Sequence, residues 1–148
     1  MIGSDILKLK TLSPGDYEVI VRVWEKAGLS YRPLGRDSEA EITRQMALDP
    51  EMWLGCFIDG ELIGFIMGSY DSRKGWLNRL AVIPEHRRKG VAQALVAEME
   101  KRLRARGFRI IAALIEEGHE ASTGLFIGNG YEIYENIKYL RKLDNSDI

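Results

Sequence analysis

The chain has 148 residues, a formal net charge of −1 and a hydrophobic fraction of 45%. This length suits one globular domain with a buried core, and the near-neutral charge argues against nucleic acid or an anionic membrane as a partner. No apolar run approaches the roughly 20 residues that span a bilayer, and no signal-peptide pattern opens the chain. The single cysteine, Cys56, excludes an internal disulfide and favours a reducing, cytoplasmic compartment. We expect Cys56 to be a small core residue rather than a nucleophile.

Hydrophobic periodicity and turn residues divide the chain into alternating strands and helices. Ser13 and Pro14 are typical of a helix start, and Gly28 of a helix end. In chain order, the predicted elements are a strand at 5–10, helices at 14–27 and 37–48, strands at 52–59, 61–70 and 76–83, a helix at 89–106, a strand at 108–115, a helix at 120–129 and strands at 131–134 and 137–143. This order predicts an α/β (α+β) fold, in which about four helices flank a mixed central sheet of six to seven strands.

The segment from Leu80 to Ala92 contains the pattern that indicates chemistry. A strand ends there, a short loop turns, and a helix begins near Gly90. The first N–H groups of a helix lack partners and lie at the positive end of its dipole, so they can bind a phosphate or pyrophosphate. Gly90 and Ala92 are small enough to let a phosphate approach the backbone. Positive charge beside this site comes from Arg87, Arg88 and Lys89.

The same residues resemble a known family signature. Arg87-x-x-Gly90-x-Ala92, after a strand that ends Leu80-Ala81-Val82-x-Pro84, resembles the acetyl-CoA signature Q/R-x-x-G-x-G/A of the GNAT superfamily. Leu125-Phe126-x-x-x-Gly130-Tyr131 resembles the end of a helix in that family, and the element order agrees over most of the chain. The chain is therefore similar to small GNAT N-acetyltransferases, which include YpeA-like proteins and ribosomal-protein alanine N-acetyltransferases.

The resemblance implies a single N-acetyltransferase domain over residues 1–148 that uses acetyl-CoA and no metal. The acceptor would be a primary amine of a protein N-terminus, a lysine or a small molecule, and it would attack the thioester directly. A bulge would splay the fourth strand from the fifth and open a cleft. The implied cofactor-binding residues are Leu80, Ala81, Val82, Arg87, Arg88, Lys89, Gly90, Val91, Ala92, His119 and Phe126. No nucleic-acid or membrane partner is expected, and the protein would be a monomer or a homodimer.

Two positions depart from the family pattern. Phe126 stands where many members carry a tyrosine that protonates the leaving thiolate, and Asn78 stands where many carry a glutamate base. One interpretation is that other groups replace them; the candidates are Glu116, Tyr131 and His119, with Glu117, Tyr134 and Tyr139 as further alternatives. A second is that catalysis comes mainly from proximity. A third is that the domain only binds CoA and has a regulatory role.

Overall fold

The computed structural model describes residues 6–116 and 118–148, and this part of the chain contains five strands and four α-helices. The strands are β1 (Lys8–Thr11), β2 (Trp53–Ile58), β3 (Glu61–Tyr70), β4 (Gly75–Val82) and β5 (Ile111–Ala113). The helices are α1 (Tyr17–Ala27), α2 (Glu39–Leu48), α3 (Val91–Ala105) and α4 (Glu120–Gly128). Short 3₁₀ turns precede α1, β2 and α3, at Pro14–Asp16, Pro50–Met52 and Pro84–His86. No helix in the described ranges is both long and apolar enough to cross a membrane.

The five strands form one mixed sheet in the order β1-β2-β3-β4-β5. The first four are antiparallel neighbours, whereas β5 runs parallel to β4. Asp59 and Gly60 form the tight turn between β2 and β3, and both have positive φ, at 51° and 81°. The prediction of a mixed sheet flanked by helices is therefore confirmed.

Helices α1 and α3 cover opposite faces of the sheet. Successive residues of a strand point to opposite faces, and Gly64 and Phe65 on β3 show this division. The Phe65 ring packs edge-on against Trp24 of α1, with 5.5 Å between ring centroids. A Cβ added at Gly64 would lie 2.7 Å from Val91 of α3, so glycine is needed for α3 to lie this close. This contact sets the first turn of α3 over the carboxyl end of β4, because Gly64 pairs with Val82.

Helix α1 ends as predicted, whereas its predicted first turn, Pro14–Asp16, is a 3₁₀ turn and α1 itself begins at Tyr17. The Ser13 backbone N–H donates to Asp16 Oδ2 over 2.8 Å, which completes a capping box before the helix. Gly28 ends α1 with a left-handed φ of 81°. Such a φ is strained for any residue with a side chain and costs glycine nothing.

The predicted count of six to seven strands is wrong, because 131–134 and 137–143 form no strand in the structure. Their apolar side chains are mostly in solvent; Ile137 is 69% exposed and Leu140 86% exposed. Alternating apolar and polar residues show only that a segment can bury one face. A strand also needs a neighbouring strand with which to form hydrogen bonds. Strand β5 is likewise shorter than the predicted 108–115, and Asp5 of the first predicted strand lies outside the described residues.

Candidate active site

Strand β4 pairs with β3 along most of its length but with β5 only over its first residues. It pairs with β5 only from Gly75 to Leu77, the last pair being Leu77 with Ala113. Its pairing with β3 continues, but Arg79 and Leu80 together oppose the single residue Ile66. This is a β-bulge, which bends a strand and breaks its ladder locally. Beyond Leu77 the β4 edge that faces away from β3 has no strand partner in the described residues, so the two strands splay apart as the family resemblance implied.

A cavity of about 230 Å³ lies in this opening. It brings together four residues that the sequence predicts for the site: Leu80, Glu116, His119 and Phe126. A wider cavity of about 500 Å³ adjoins it beyond the end of β5, and Glu116 and His119 line both. The two cavities therefore form one cleft, and Glu116 and His119, both exposed, stand where its parts meet. The alternative candidate Glu117 lies outside the described residues.

The head of α3 is open for an anion. Gly90 precedes the helix with φ 81°, and no side chain of the described residues caps it. The first helical hydrogen bond runs from the Ala94 N–H to the Gly90 carbonyl over 3.0 Å, so the N–H groups of Val91, Ala92 and Gln93 have no acceptor within the helix. A Cβ added at Gly90 would meet no atom within 4 Å. Uncapped donors, open space and the positive end of the helix dipole fit a pyrophosphate.

Helix α3 begins two residues later than predicted, because Arg88 as well as Gly90 has a positive φ, at 63°. Arg87, one residue earlier, is turned back onto the fold. Its Nε donates to the Val82 carbonyl over 3.1 Å and its Nη2 to the Ala27 carbonyl over 3.4 Å. Its backbone N–H already donates to the Pro84 carbonyl. The structure thus uses Arg87 to hold the loop, and Arg88 and Lys89 are exposed beside the head of α3.

The tyrosine predicted as a possible acid lies outside the cleft. The Tyr131 hydroxyl donates to Glu100 Oε1 over 2.6 Å, and burial together with this hydrogen bond raises the pKa of Tyr131. Its ring packs edge-on against Phe126, with centroids 5.0 Å apart, and lines neither cavity. Tyr134 and Tyr139 are mostly exposed. Phe126 therefore lines the cleft, and none of the residues that line the two cavities is a tyrosine.

Burial decides the role of Cys56. Cys56 is fully buried in the core, and burial raises the pKa of its thiol to about 11, so the prediction of a core residue is confirmed. In the described parts of the chain, no group of three or more His, Cys, Asp or Glu residues is placed to hold a metal ion.

Sequence reasoning missed Arg79. The Asn78 side chain, at the position of the family base, donates to Ser69 Oγ over 2.8 Å. Arg79 has a φ of 58°, which is a strained conformation for a residue with a long side chain. It lines the smaller cavity, and its guanidinium lies 4.4 Å from the Trp24 ring centroid. The signal in the sequence is a charged residue, preceded by polar Asn78, near the end of a strand whose remaining residues are glycine or apolar.

Comparison with known proteins places this geometry in a family. The sequence model described as the Acetyltransferase (GNAT) family matches residues 20–131. An acetyltransferase of Pectobacterium atrosepticum is 32% identical over 137 residues, which cover 93% of this chain and 96% of the relative. The PaiA N-acetyltransferase of Thermoplasma acidophilum, solved with coenzyme A, superposes with a TM-score of 0.79 at 20% identity, over 89% of this chain and 93% of the other. The aminoglycoside N-acetyltransferase AAC(6')-Iy, solved with a bisubstrate analogue, gives a TM-score of 0.75 at 19% identity, over 93% and 99%.

Proposed function

The chain belongs to the GNAT acetyltransferase family, and we propose that it transfers the acetyl group of acetyl-CoA to a primary amine that attacks the thioester directly. The acceptor is the amine of a protein N-terminus, a lysine or a small molecule. The observation that carries this proposal is the uncapped head of α3 beside the splayed end of β4. The cleft then lies beside the last residues of β4, and the anion site lies at the start of α3, the next helix along the chain.

The pyrophosphate of acetyl-CoA would bind at the head of α3. The N–H groups of Val91, Ala92 and Gln93 would donate to it, and Gly90 leaves the space that a side chain would fill. Arg88 and Lys89 would add charge. Arg87 would act indirectly, because its bonds to the carbonyls of Val82 and Ala27 fix the loop that presents these donors.

The remaining length of the carrier would run along the unpaired edge of β4. Acetyl-CoA supplies an activated thioester carbonyl. Backbone groups from Leu80 to Val82 lie on the strand that leaves β5, where they can hydrogen-bond the pantetheine arm and polarise that carbonyl. Holding the two reactants together in this cleft can supply about 7–11 kcal/mol of the barrier through proximity.

Glu116 or His119 would accept the proton of the attacking amine, directly or through water. Both line the two parts of the cleft, one at the end of β5 and the other just before α4. The leaving thiolate needs less help, since thiols have a pKa of about 8.5. This explains how phenylalanine at position 126 is compatible with turnover.

The test is release of free thiol from acetyl-CoA over a panel of primary amines, with Glu116→Gln and His119→Gln compared with Glu135→Gln. Glu135 is an exposed glutamate of the C-terminal segment that lines neither cavity. Loss of the general base is expected to lower kcat/KM by about 10²–10⁴-fold, whereas Glu135→Gln should leave it unchanged. Coenzyme A that binds in calorimetry without thiol release for any amine would contradict acetyl transfer. Coenzyme A that fails to bind would contradict the anion site itself.

A further inference from the structure

The conformation of Arg79 is maintained by its surroundings. A positive φ is rare for a residue with a long side chain and persists only where the surrounding structure holds it in place. Arg79 has φ 58° in the β4 bulge, and its guanidinium is stacked over the Trp24 ring at 4.4 Å. Its Nη1 donates to the Ser30 carbonyl over 2.8 Å. The bulge and two contacts, with Trp24 and with Ser30, therefore hold this side chain beside the cleft.

One edge of the same guanidinium has no acceptor. Nε and Nη2 of Arg79 are buried, and no oxygen of the described residues accepts a hydrogen bond from them. The Nε1 of Trp24, the ring on which Arg79 is stacked, is also buried without an acceptor. Burial lowers the pKa of Arg79. Buried charged donors without an acceptor are destabilising and uncommon in folded proteins, so this edge needs a partner that the described residues do not provide.

Neither Asp37 nor Glu116 accepts a hydrogen bond from this edge in the described residues. Asp37 and Glu116 both attract the guanidinium electrostatically, but neither forms an ion pair with it in the described residues. Asp37 is buried and accepts from the Arg32 backbone N–H over 2.8 Å. Glu116 stands in the lining of the same cavity as Arg79. The cleft thus presents a cation with an unfilled donor edge and, separately, a carboxylate.

We propose that the Nε–Nη2 edge of Arg79 binds a carboxylate of the acceptor at the wall of the cavity that Arg79 lines, so the acceptor is a carboxylate-bearing amine of the amino-acid type. Nε and Nη2 form the planar fork of donors that matches a carboxylate in a bidentate pair. Glu116 attracts the ammonium end of the same molecule. The cavity of about 230 Å³ suits a small zwitterion. This inference rests on the proposed acetyl transfer and narrows its acceptor.

The experiment compares kcat/KM for matched amines with and without a carboxylate. Free amino acids are set against their C-terminal amides, which tests an α-carboxylate. Peptide amides that begin with Glu are set against those that begin with Gln, which tests an acidic side chain as the source. Spermidine is the cationic reference. Each pair is measured with the wild type, Arg79→Gln and Arg79→Lys, so differences in amine basicity cancel between variants.

Arg73→Gln is the matched control, because Arg73 is an exposed arginine in the turn before β4. We expect the wild type to prefer the carboxylate member of one kind of pair. Arg79→Gln should reduce that preference by about tenfold to 100-fold, the range for a charge-assisted hydrogen bond. Arg79→Lys, which keeps the charge without the fork, should give an intermediate loss. Arg73→Gln should leave the preference within about twofold, since an exposed charge outside the cleft contributes little.

Thermal melting with and without coenzyme A reports the fold and donor binding of every variant. The inference is overturned, and acetyl transfer stands, if the wild type releases thiol without any preference for carboxylate-bearing amines. It is also overturned if Arg79→Gln and Arg79→Lys keep the preference of the wild type. A drop in melting temperature with an unchanged preference likewise overturns it, because Arg79 would then serve only the stack on Trp24. Coenzyme A binding without thiol release for any amine removes acetyl transfer and this inference with it.

Discussion

The head of α3 and the cleft beside β4 lie at the same end of the sheet, yet they are built differently. The head of α3 consists of consecutive residues, and its donors are backbone N–H groups that any sequence provides once Gly90 keeps the space open. The cleft consists of side chains from four separate elements, with Ser30, Arg79, Glu116 and Phe126 among them. A site made of backbone is suited to a carrier common to many reactions. A site made of side chains can differ with each acceptor.

The largest effect is expected at the head of α3, from Gly90→Glu. The carboxylate would occupy the phosphate site and repel its charge, so affinity for coenzyme A should fall by about 100-fold or more. Calorimetric titration measures this loss. Gly107→Glu is the matched control, because Gly107 follows the other end of α3 with φ 95° and equal space around it. Both variants carry the strain of a left-handed residue, about 1–2 kcal/mol. Equal affinity in the two variants would contradict the backbone site.

A smaller pair of effects separates Arg87 from Arg88. Arg87→Gln removes hydrogen bonds to two carbonyls and should lower the free energy of unfolding by about 1–2 kcal/mol, with affinity for coenzyme A changed by about twofold. Arg88→Gln should leave stability unchanged and weaken coenzyme A by about tenfold, because its exposed charge is left to the ligand. Denaturant unfolding and calorimetry check both. The reverse order of effects would mean that Arg87 leaves its carbonyl partners to bind phosphate.

The smallest effect is expected in the cleft, from Phe126→Tyr. A hydroxyl at this position can donate to the thiolate, but a thiol with a pKa near 8.5 gains little from it, so kcat should stay within about threefold or rise. Steady-state kinetics measures this change. Phe108→Tyr adds the same hydroxyl where the ring packs on Tyr70, away from the cleft. A fall of more than about tenfold in kcat for Phe126→Tyr alone would show that the Phe126 ring must contact the carrier.

The features that the sequence predicts well are those made by neighbours along the chain. Asp59-Gly60 predicts the hairpin, and Gly90 predicts the start of α3, because each needs only a local backbone conformation. The predicted strands at 131–134 and 137–143 fail for the opposite reason. Their alternation is local, but a strand also needs a partner, and β5 is only three residues long.

The roles of single side chains in the cleft are equally hard to predict from the sequence, because they also depend on residues distant in the chain. Tyr131 lies near Phe126 in sequence and in space, but its hydroxyl is taken by Glu100 of α3. Arg87 belongs to the family signature, but its side chain is used within the fold. Which groups remain for a ligand depends on these contacts between distant residues, and no spacing in the sequence reports them.

The sequence by itself determined the family and the mixed α/β sheet. It also predicted where the proposed anion site lies, because a helix start after a strand provides backbone donors wherever it occurs. Only the tertiary structure decided which side chains face the cleft. The bulge that places Arg79 over Trp24 arises from the pairing of β4 with β3 and from packing against α1. Such contacts join residues far apart in the chain, so the fold rather than the local sequence sets the burial and the hydrogen-bond partners of the cleft side chains.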